Sequence, residues 1–303
     1  GGSVSPVATT LEALARSLET TLARPSAHAE ALQLVLAALR ASGDNRLFGE
    51  FSVESYALLG QEIASLRVLE LAQGLVQKRV QGACLQHLTG VQFFLNHEYS
   101  VGPDVLVPRP ETEVLAVAAI EALRTNPAQV GIELGVGSGI LSIELLAEFS
   151  KLKMHASDIS SAALDRTRLN ADNILGLDWA ERLTLIQAAT GEVLQPFAGL
   201  KADFLISNPP YLDSDKDEVD LEVRTQEPAS ALFAPKGDPL FFYREIALRG
   251  PAVLKRWGLV FLELAHERAQ EVKTLFSEAG WAELKLVADL NGRERVMVAR
   301  WTK

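Results

Sequence analysis

Apolar residues in the first quarter of the chain recur three and four positions apart: Leu11, Leu14, Ala15, Leu18 and Leu22, then Ala31, Leu32, Leu34, Val35 and Leu39. That spacing puts them on single helical faces. Thr9 or Thr10 is placed to cap the first helix, and the second spans His28–Leu39. Further amphipathic segments run from Ser52 to Leu59 and from Gln61 to Val80, so residues 4–83 read as a small all-helical domain with short loops. Its polar residues form no metal-binding or catalytic spacing, and its role would be to grip a partner. Between residues 84 and 108 the pattern changes to short alternating runs, Val91–Phe94 and His97–Val101, with Gly90 and Asn96 as turn residues. A hairpin linking two domains is expected there. A third region, residues 109–303, begins with a helix entered through Pro110 and reaching Leu123.

From residue 129 strand and helix patterns alternate, which calls for a mostly parallel sheet with helices on both faces. Strands are expected at Val130–Leu134, Lys153–Ser157, Leu183–Gln187, Asp203–Ser207 and Leu259–Leu264. The helices between them are Ile140–Phe149, Ser160–Asn173, Phe241–Trp257 and Glu267–Ala279. A long acidic loop fills Tyr211 to about Ala234. Leu284–Ala288 and Arg295–Ala299 close the chain as an antiparallel hairpin around Asn291-Gly292, giving seven strands in all.

Composition narrows the class. With 303 residues, 48% of them hydrophobic and 22% charged, the chain can bury a large core and matches a globular protein. Its net charge of −10 opposes long-range attraction to nucleic acid or anionic membrane, so no stable nucleic-acid binding and no membrane partner are expected. The single Cys84 rules out an internal disulfide and fits a reducing compartment. No run of 18 apolar residues occurs, and no basic-then-apolar leader is visible after Gly1-Gly2-Ser3, which reads as a tag remnant. A cytoplasmic location is the expectation.

The chemistry concentrates in Asp203-Phe204-Leu205-Ile206-Ser207-Asn208-Pro209-Pro210-Tyr211. The apolar run is a buried strand. Two prolines end it because neither donates to a ladder, and Pro209 holds Asn208 extended. The resulting stiff tip offers the Asn208 amide, backbone carbonyls and the Tyr211 ring, a set suited to holding a planar NH2 group. Upstream, the strand ending at Glu133 leads into Gly135-Val136-Gly137-Ser138-Gly139. A glycine turn between strand and helix lets a ligand approach the backbone. Dinucleotide enzymes use G-x-G-x-x-G, and Ile140 stands where its last glycine would be. Asp158, at the end of the second strand, is placed to accept ribose hydroxyls, and Glu133 to support the turn or receive an ammonium group. A cationic, phosphate-free nucleoside with an amino-acid tail, S-adenosylmethionine, fits this set. The inferred reaction is direct methyl transfer to a weakly basic nitrogen, oriented by the Asn208 oxygen and the Pro209 carbonyl, with Tyr211 packed on the acceptor's plane.

Together, Asn208-Pro209-Pro210-Tyr211, Glu133-x-Gly135-x-Gly137-x-Gly139 and Pro108-Arg109-Pro110-Glu111-Thr112-Glu113 resemble the PrmC/HemK family. Further matches are Gln86-His87-Leu88-Thr89-Gly90, Glu227-Pro228 with Ala231-Leu232, Tyr243-Arg244-x-Ile246, and Asp289-Leu290-x-Gly292-x-Glu294-Arg295-Val296. The resemblance covers about residues 70–300. It implies a Rossmann-like class I methyltransferase fold behind the helical domain. It also implies transfer from S-adenosylmethionine to the glutamine side-chain amide in the GGQ motif of peptide chain release factors. By the same resemblance Glu133, Gly135, Val136, Gly137, Ser138, Gly139, Asp158 and Asn208 bind the cofactor. Asn208, Pro209, Pro210 and Tyr211 hold the substrate glutamine, with Asn208, Pro209 and Tyr211 catalytic.

The chain departs from the family at Ala188-Ala189-Thr190, where an acidic-aromatic pair often lies near the adenine. It also lacks the usual glycines around Lys236-Gly237-Asp238-Pro239 and has Ala265-His266 after the fifth strand. Two other acceptors share the Asn-Pro-Pro-Tyr element in related enzymes. One is a flipped adenine or guanine, which would demand a basic groove; the other is a glutamine of ribosomal protein L3.

Overall fold

The computed structural model describes residues 5–20, 22–41, 63–64, 66–211, 228, 230 and 237–303. The amphipathic stretch expected at Ser52–Leu59, most of the acidic loop after Tyr211, and Glu227, Ala231, Leu232 and Lys236 lie outside the described residues. The chain divides into two compact units, the first ending at Val91 and the second starting at Gln92.

The first unit contains strand β1 (Ser5–Pro6), helices α1 (Val7–Leu18) and α2 (Arg24–Ala41), strand β2 (Ile63–Ala64), and helices α3 (Leu66–Val80) and α4 (Leu85–Thr89). Helix α1 begins at Val7, so Thr9 and Thr10 fall inside it rather than at its cap. Strand β2 pairs antiparallel with β1, a strand contact not anticipated in this region. The apolar stripes meet, with Leu11, Leu14, Leu18, Leu34, Val35, Leu39, Val68 and Val76 in one buried cluster. Arg79 ties α3 to α2 through two bonds of 3.2 Å to the Glu30 carboxylate.

The second unit opens with the hairpin β3 (Val91–Phe94) and β4 (His97–Ser100), then α5 (Pro110–Thr125). Strands β5 (Val130–Leu134), β6 (Lys153–Asp158), β7 (Leu183–Gln187), β8 (Ala202–Ser207), β9 (Leu254–Glu263), β10 (Ala282–Ala288) and β11 (Glu294–Arg300) form one sheet. Its order is β10-β11-β9-β8-β5-β6-β7, parallel from β9 to β7, with β11 running opposite to β9 and to β10. Between the strands run α6 (Ile140–Glu148), α7 (Ser161–Leu175), α8 (Phe241–Arg249) and α9 (Ala269–Glu278). The helix expected to reach Trp257 stops at Arg249, because Gly250-Pro251 breaks the i to i−4 ladder. Strand β9 accordingly starts at Leu254, before the expected Leu259.

Two buried clusters sandwich the sheet. Phe204, Ile206, Phe261 and Met154 face one way with α5 and α6, and Ile132, Leu205, Val260 and Leu262 face the other with α8 and α9. The hairpin joins the first cluster through Phe94 and Tyr99. Tyr99 donates to Glu144 on α6 at 3.0 Å, and the ring of His97 meets the same carboxylate at 2.7 Å.

Candidate active site

Strand register decides what meets at the carboxyl rim of the sheet. Leu134 pairs with Ser157 on one side and with Ser207 on the other, and Ser207 pairs in turn with Leu262. The residues that follow, Gly135, Asp158, Asn208 and Glu263, therefore leave four adjacent strands at one level. Strand order reverses at β5, which is where a doubly wound sheet opens a crevice for a ligand.

The turn after β5 is held open by backbone geometry. Gly135 and Gly137 have φ of 70° and 56°, and a Cβ at either would meet nothing within 4 Å. Space beside a bare backbone is what a ligand cradle requires. Gly139 differs. At φ 90° it caps α6, and a Cβ there would lie 2.9 Å from both Ile143 and Thr167. It serves close packing and does not line the cavity.

Two carboxylates frame the turn. Glu133, buried at the end of β5, accepts from the Ser142 backbone N–H at 3.1 Å and hydroxyl at 2.6 Å. Burial nevertheless pushes its pKa up to about 8, against the pull of those bonds. Asp158 accepts from Gly137 N–H at 3.0 Å and from Ser160 N–H at 3.0 Å, one bond to each oxygen. Each oxygen keeps a lone pair for a further donor. Burial raises its pKa, partly offset by the backbone donors at Ser160 and Gly137.

Across the crevice, Asn208 follows β8 and its Nδ2 donates to the Thr112 hydroxyl at 3.4 Å. Thr112 is buried in the first turn of α5, just after Pro110. Tyr211 lies outside the cavity lining. Its hydroxyl donates to Glu263 at 3.1 Å, and its ring packs with the β8–β9 cluster. The Tyr211 hydroxyl thus anchors the corner to the end of β9.

One cavity joins Glu133, Gly135, Val136, Gly137, Ser138, Asp158, Asn208, Pro209 and Pro210. Of the residues expected to bind cofactor or substrate, Gly139 and Tyr211 are the two outside its lining. Several lining residues gave no motif: Ile159, Glu192 and Phe242. Ile159 follows Asp158 and is 43% exposed, an apolar side chain at a strand exit that sequence reading passed over. Ala188 lines the cavity at the place where the family often has an acidic-aromatic pair. Glu263 could have been flagged, because it ends an apolar run just as Glu133 does.

A family model described as the methyltransferase small domain matches residues 113–257. A release factor glutamine methyltransferase from Bacillus subtilis is 34% identical over 74% of this chain and 77% of its own length. Another, from Moorella thermoacetica, is 35% identical over 74% of this chain and 77% of its own length. A methyltransferase of known structure from Pyrococcus furiosus matches at a TM-score of 0.50, covering 69% of this chain and 91% of its own at 14% identity, which is a likeness of fold. The sheet order, the glycine turn and the strand-end carboxylates define a Rossmann-like class I methyltransferase. Within that class, the chain belongs to the release factor glutamine methyltransferase family. Among the described residues no helix is long and apolar enough to cross a membrane.

Proposed function

We propose that this protein methylates the side-chain amide nitrogen of the glutamine in the GGQ motif of peptide chain release factors, with S-adenosylmethionine as donor. The observation that carries this reading is the shared cavity, in which the open glycine turn, Asp158 and the Asn208-Pro209-Pro210 corner line one space. The two open glycines and the paired acids fit a cationic nucleoside. Gly135 to Ser138 would pass along its backbone, Asp158 would accept its ribose hydroxyls, and Glu133 would face its positive charge. Once bound, S-adenosylmethionine supplies an electrophilic methyl group.

The chain's own work is orientation. Asn208 Oδ1 and the Pro209 carbonyl accept the two N–H groups of the incoming amide. Those bonds favour a nitrogen turning tetrahedral and positive, and they fix its lone pair toward the methyl carbon. Such alignment can be worth roughly 7–11 kcal/mol of barrier. No strong base is required, because the proton becomes acidic only as the new bond forms. Tyr211 holds the corner rigid from behind.

The test is incubation with labelled S-adenosylmethionine and, in separate reactions, a release factor, ribosomal protein L3 and DNA. Label on the release-factor glutamine is the expected result. Label on L3 or on DNA, with none on the release factor, would reassign the acceptor.

A further inference from the structure

We infer that Thr112 and Glu263 together set which way the Asn208 side-chain amide faces, and so act as positioning residues for amide methylation. The inference rests on the methyl transfer proposed above and adds two residues to its machinery.

The oxygen and nitrogen ends of an asparagine amide have nearly the same shape, and only their partners distinguish them. To receive an N–H of the acceptor, Asn208 must turn its oxygen into the cavity and its NH2 group away. In the structure Nδ2 donates to Thr112 Oγ1 at 3.4 Å, which leaves Oδ1 for the cavity. A hydroxyl, however, both donates and accepts. If Thr112 gave its proton to Asn208, the amide would reverse and present NH2 to NH2.

The group that commits the Thr112 proton is Glu263. Its side chain is 3% exposed, and strand register sets it beside Asn208 at the rim. One carboxylate oxygen accepts from Tyr211 at 3.1 Å. The other is shut off from solvent and has no hydrogen bond of good geometry with the described residues. The neighbouring Thr112 hydroxyl favours the charged carboxylate. A carboxylate only accepts, so a Thr112 hydroxyl turned toward the unpartnered Glu263 oxygen gives its proton there and leaves its own lone pairs for Asn208. Glu263 thereby holds both ends of the corner, Tyr211 directly and Asn208 through Thr112.

The relay has a polarity that protonation would undo. Burial pushes Glu263 up to about 7. The Thr112 and Tyr211 hydroxyls and Arg295 favour its charge, and Glu111 opposes it. The Tyr243 hydroxyl binds the Glu263 backbone carbonyl at 2.6 Å, and Arg295 is itself paired with Asp289 at 3.0 Å. A protonated Glu263 becomes a donor and releases Thr112 to donate toward Asn208.

The experiment compares Thr112→Val, Thr112→Ser and Glu263→Gln in the full chain. It measures kcat and KM with a release factor, calorimetric affinity for S-adenosylmethionine, and the NMR signals of the Asn208 side-chain NH2. Thr112→Val and Glu263→Gln are expected to lower kcat by about tenfold or more, the scale of one lost transition-state hydrogen bond. Cofactor affinity is expected to stay at the wild-type value, which also reports an intact fold. Thr112→Ser is expected to restore most of kcat. The wild-type rate is expected to rise through about pH 7, following Glu263, and Glu263→Gln to lose that step. Wild-type kcat in Thr112→Val, equal impairment in Thr112→Ser, or an unchanged pH profile in Glu263→Gln would each overturn the inference. The NMR readout separates the two ideas. If wild-type protein does not methylate the release factor, the acceptor assignment fails, and an Asn208 NH2 signal unmoved by Thr112→Val is what would sink the relay.

Discussion

The two sides of the cavity are built by different means. On the β5–β6 side the bonds span fewer residues: Glu133 is met by Ser142, nine residues on, and Asp158 by Ser160, two residues on, and by Gly137, 21 residues back. On the β8–β9 side the bonds are long-range, joining Asn208 to Thr112 across 96 residues and Tyr211 to Glu263 across 52. The two buried glutamates show the contrast best. Glu133 lies under its own helix with both donors from one serine on one oxygen, whereas Glu263 depends on groups from separate elements and has one buried oxygen without a hydrogen-bond partner among the described residues. The lesson is that a side built from short-range bonds is robust as a binding surface. A side assembled from distant elements can be set, and upset, by single hydroxyls.

The largest expected effect breaks the long-range side. Asn208→Ala should lower methyl transfer by about 10²–10³-fold, the cost typical of removing one aimed polar group, while leaving cofactor affinity intact. Single-turnover rates beside calorimetry check both halves of that statement, and equal turnover in the variant would remove the orienting role. On the short-range side, Asp158→Ala should weaken cofactor binding by roughly 1.5–3 kcal/mol, the worth of hydrogen bonds to a charged group. Unchanged affinity by calorimetry would count against the ribose assignment.

The glycines sharpen the same division. Gly139→Ala should destabilise the fold by about 1–3 kcal/mol through overpacking against Ile143 and Thr167, measurable as a lower urea midpoint. Gly137→Ala, with open space around it, should cost less stability and show mainly as weaker cofactor binding.

The smallest effect is in pH. Glu133 and Glu263 are raised from 4.5 to about 8 and about 7, so the native state holds protons that the unfolded chain has released. Stability from these groups is full below about pH 4.5 and falls as pH climbs toward 8. Glu263→Gln should flatten the part of that decline below pH 7, as read by melting temperature across the range.

How much could be read without the fold follows the same division. The glycine turn, Asp158 and the alternating strands and helices stood out because each is a short pattern with a physical cause. The end of α8 at Arg249 was also readable, since Gly250-Pro251 announces it, yet the helical periodicity beyond it masked the break. The bond from the Tyr211 hydroxyl to Glu263 was not readable, because adjacency to Pro210 says nothing about which distant carboxylate a phenol meets. Glu263 carried only the weak signal of a polar residue ending an apolar run, and Thr112 stood in a motif without any hint that it would meet Asn208.

Local spacing alone therefore dictated the parallel sheet, the open glycine turn and the proline-stiffened corner, because the forces behind them act over a few residues. Which strand ends stand level and which hydroxyl meets which carboxylate, Tyr211 with Glu263 among them, were decided only when β5, β6, β8 and β9 came into register. Those contacts depend on close approach of distant segments, and no property of the isolated segments encodes it.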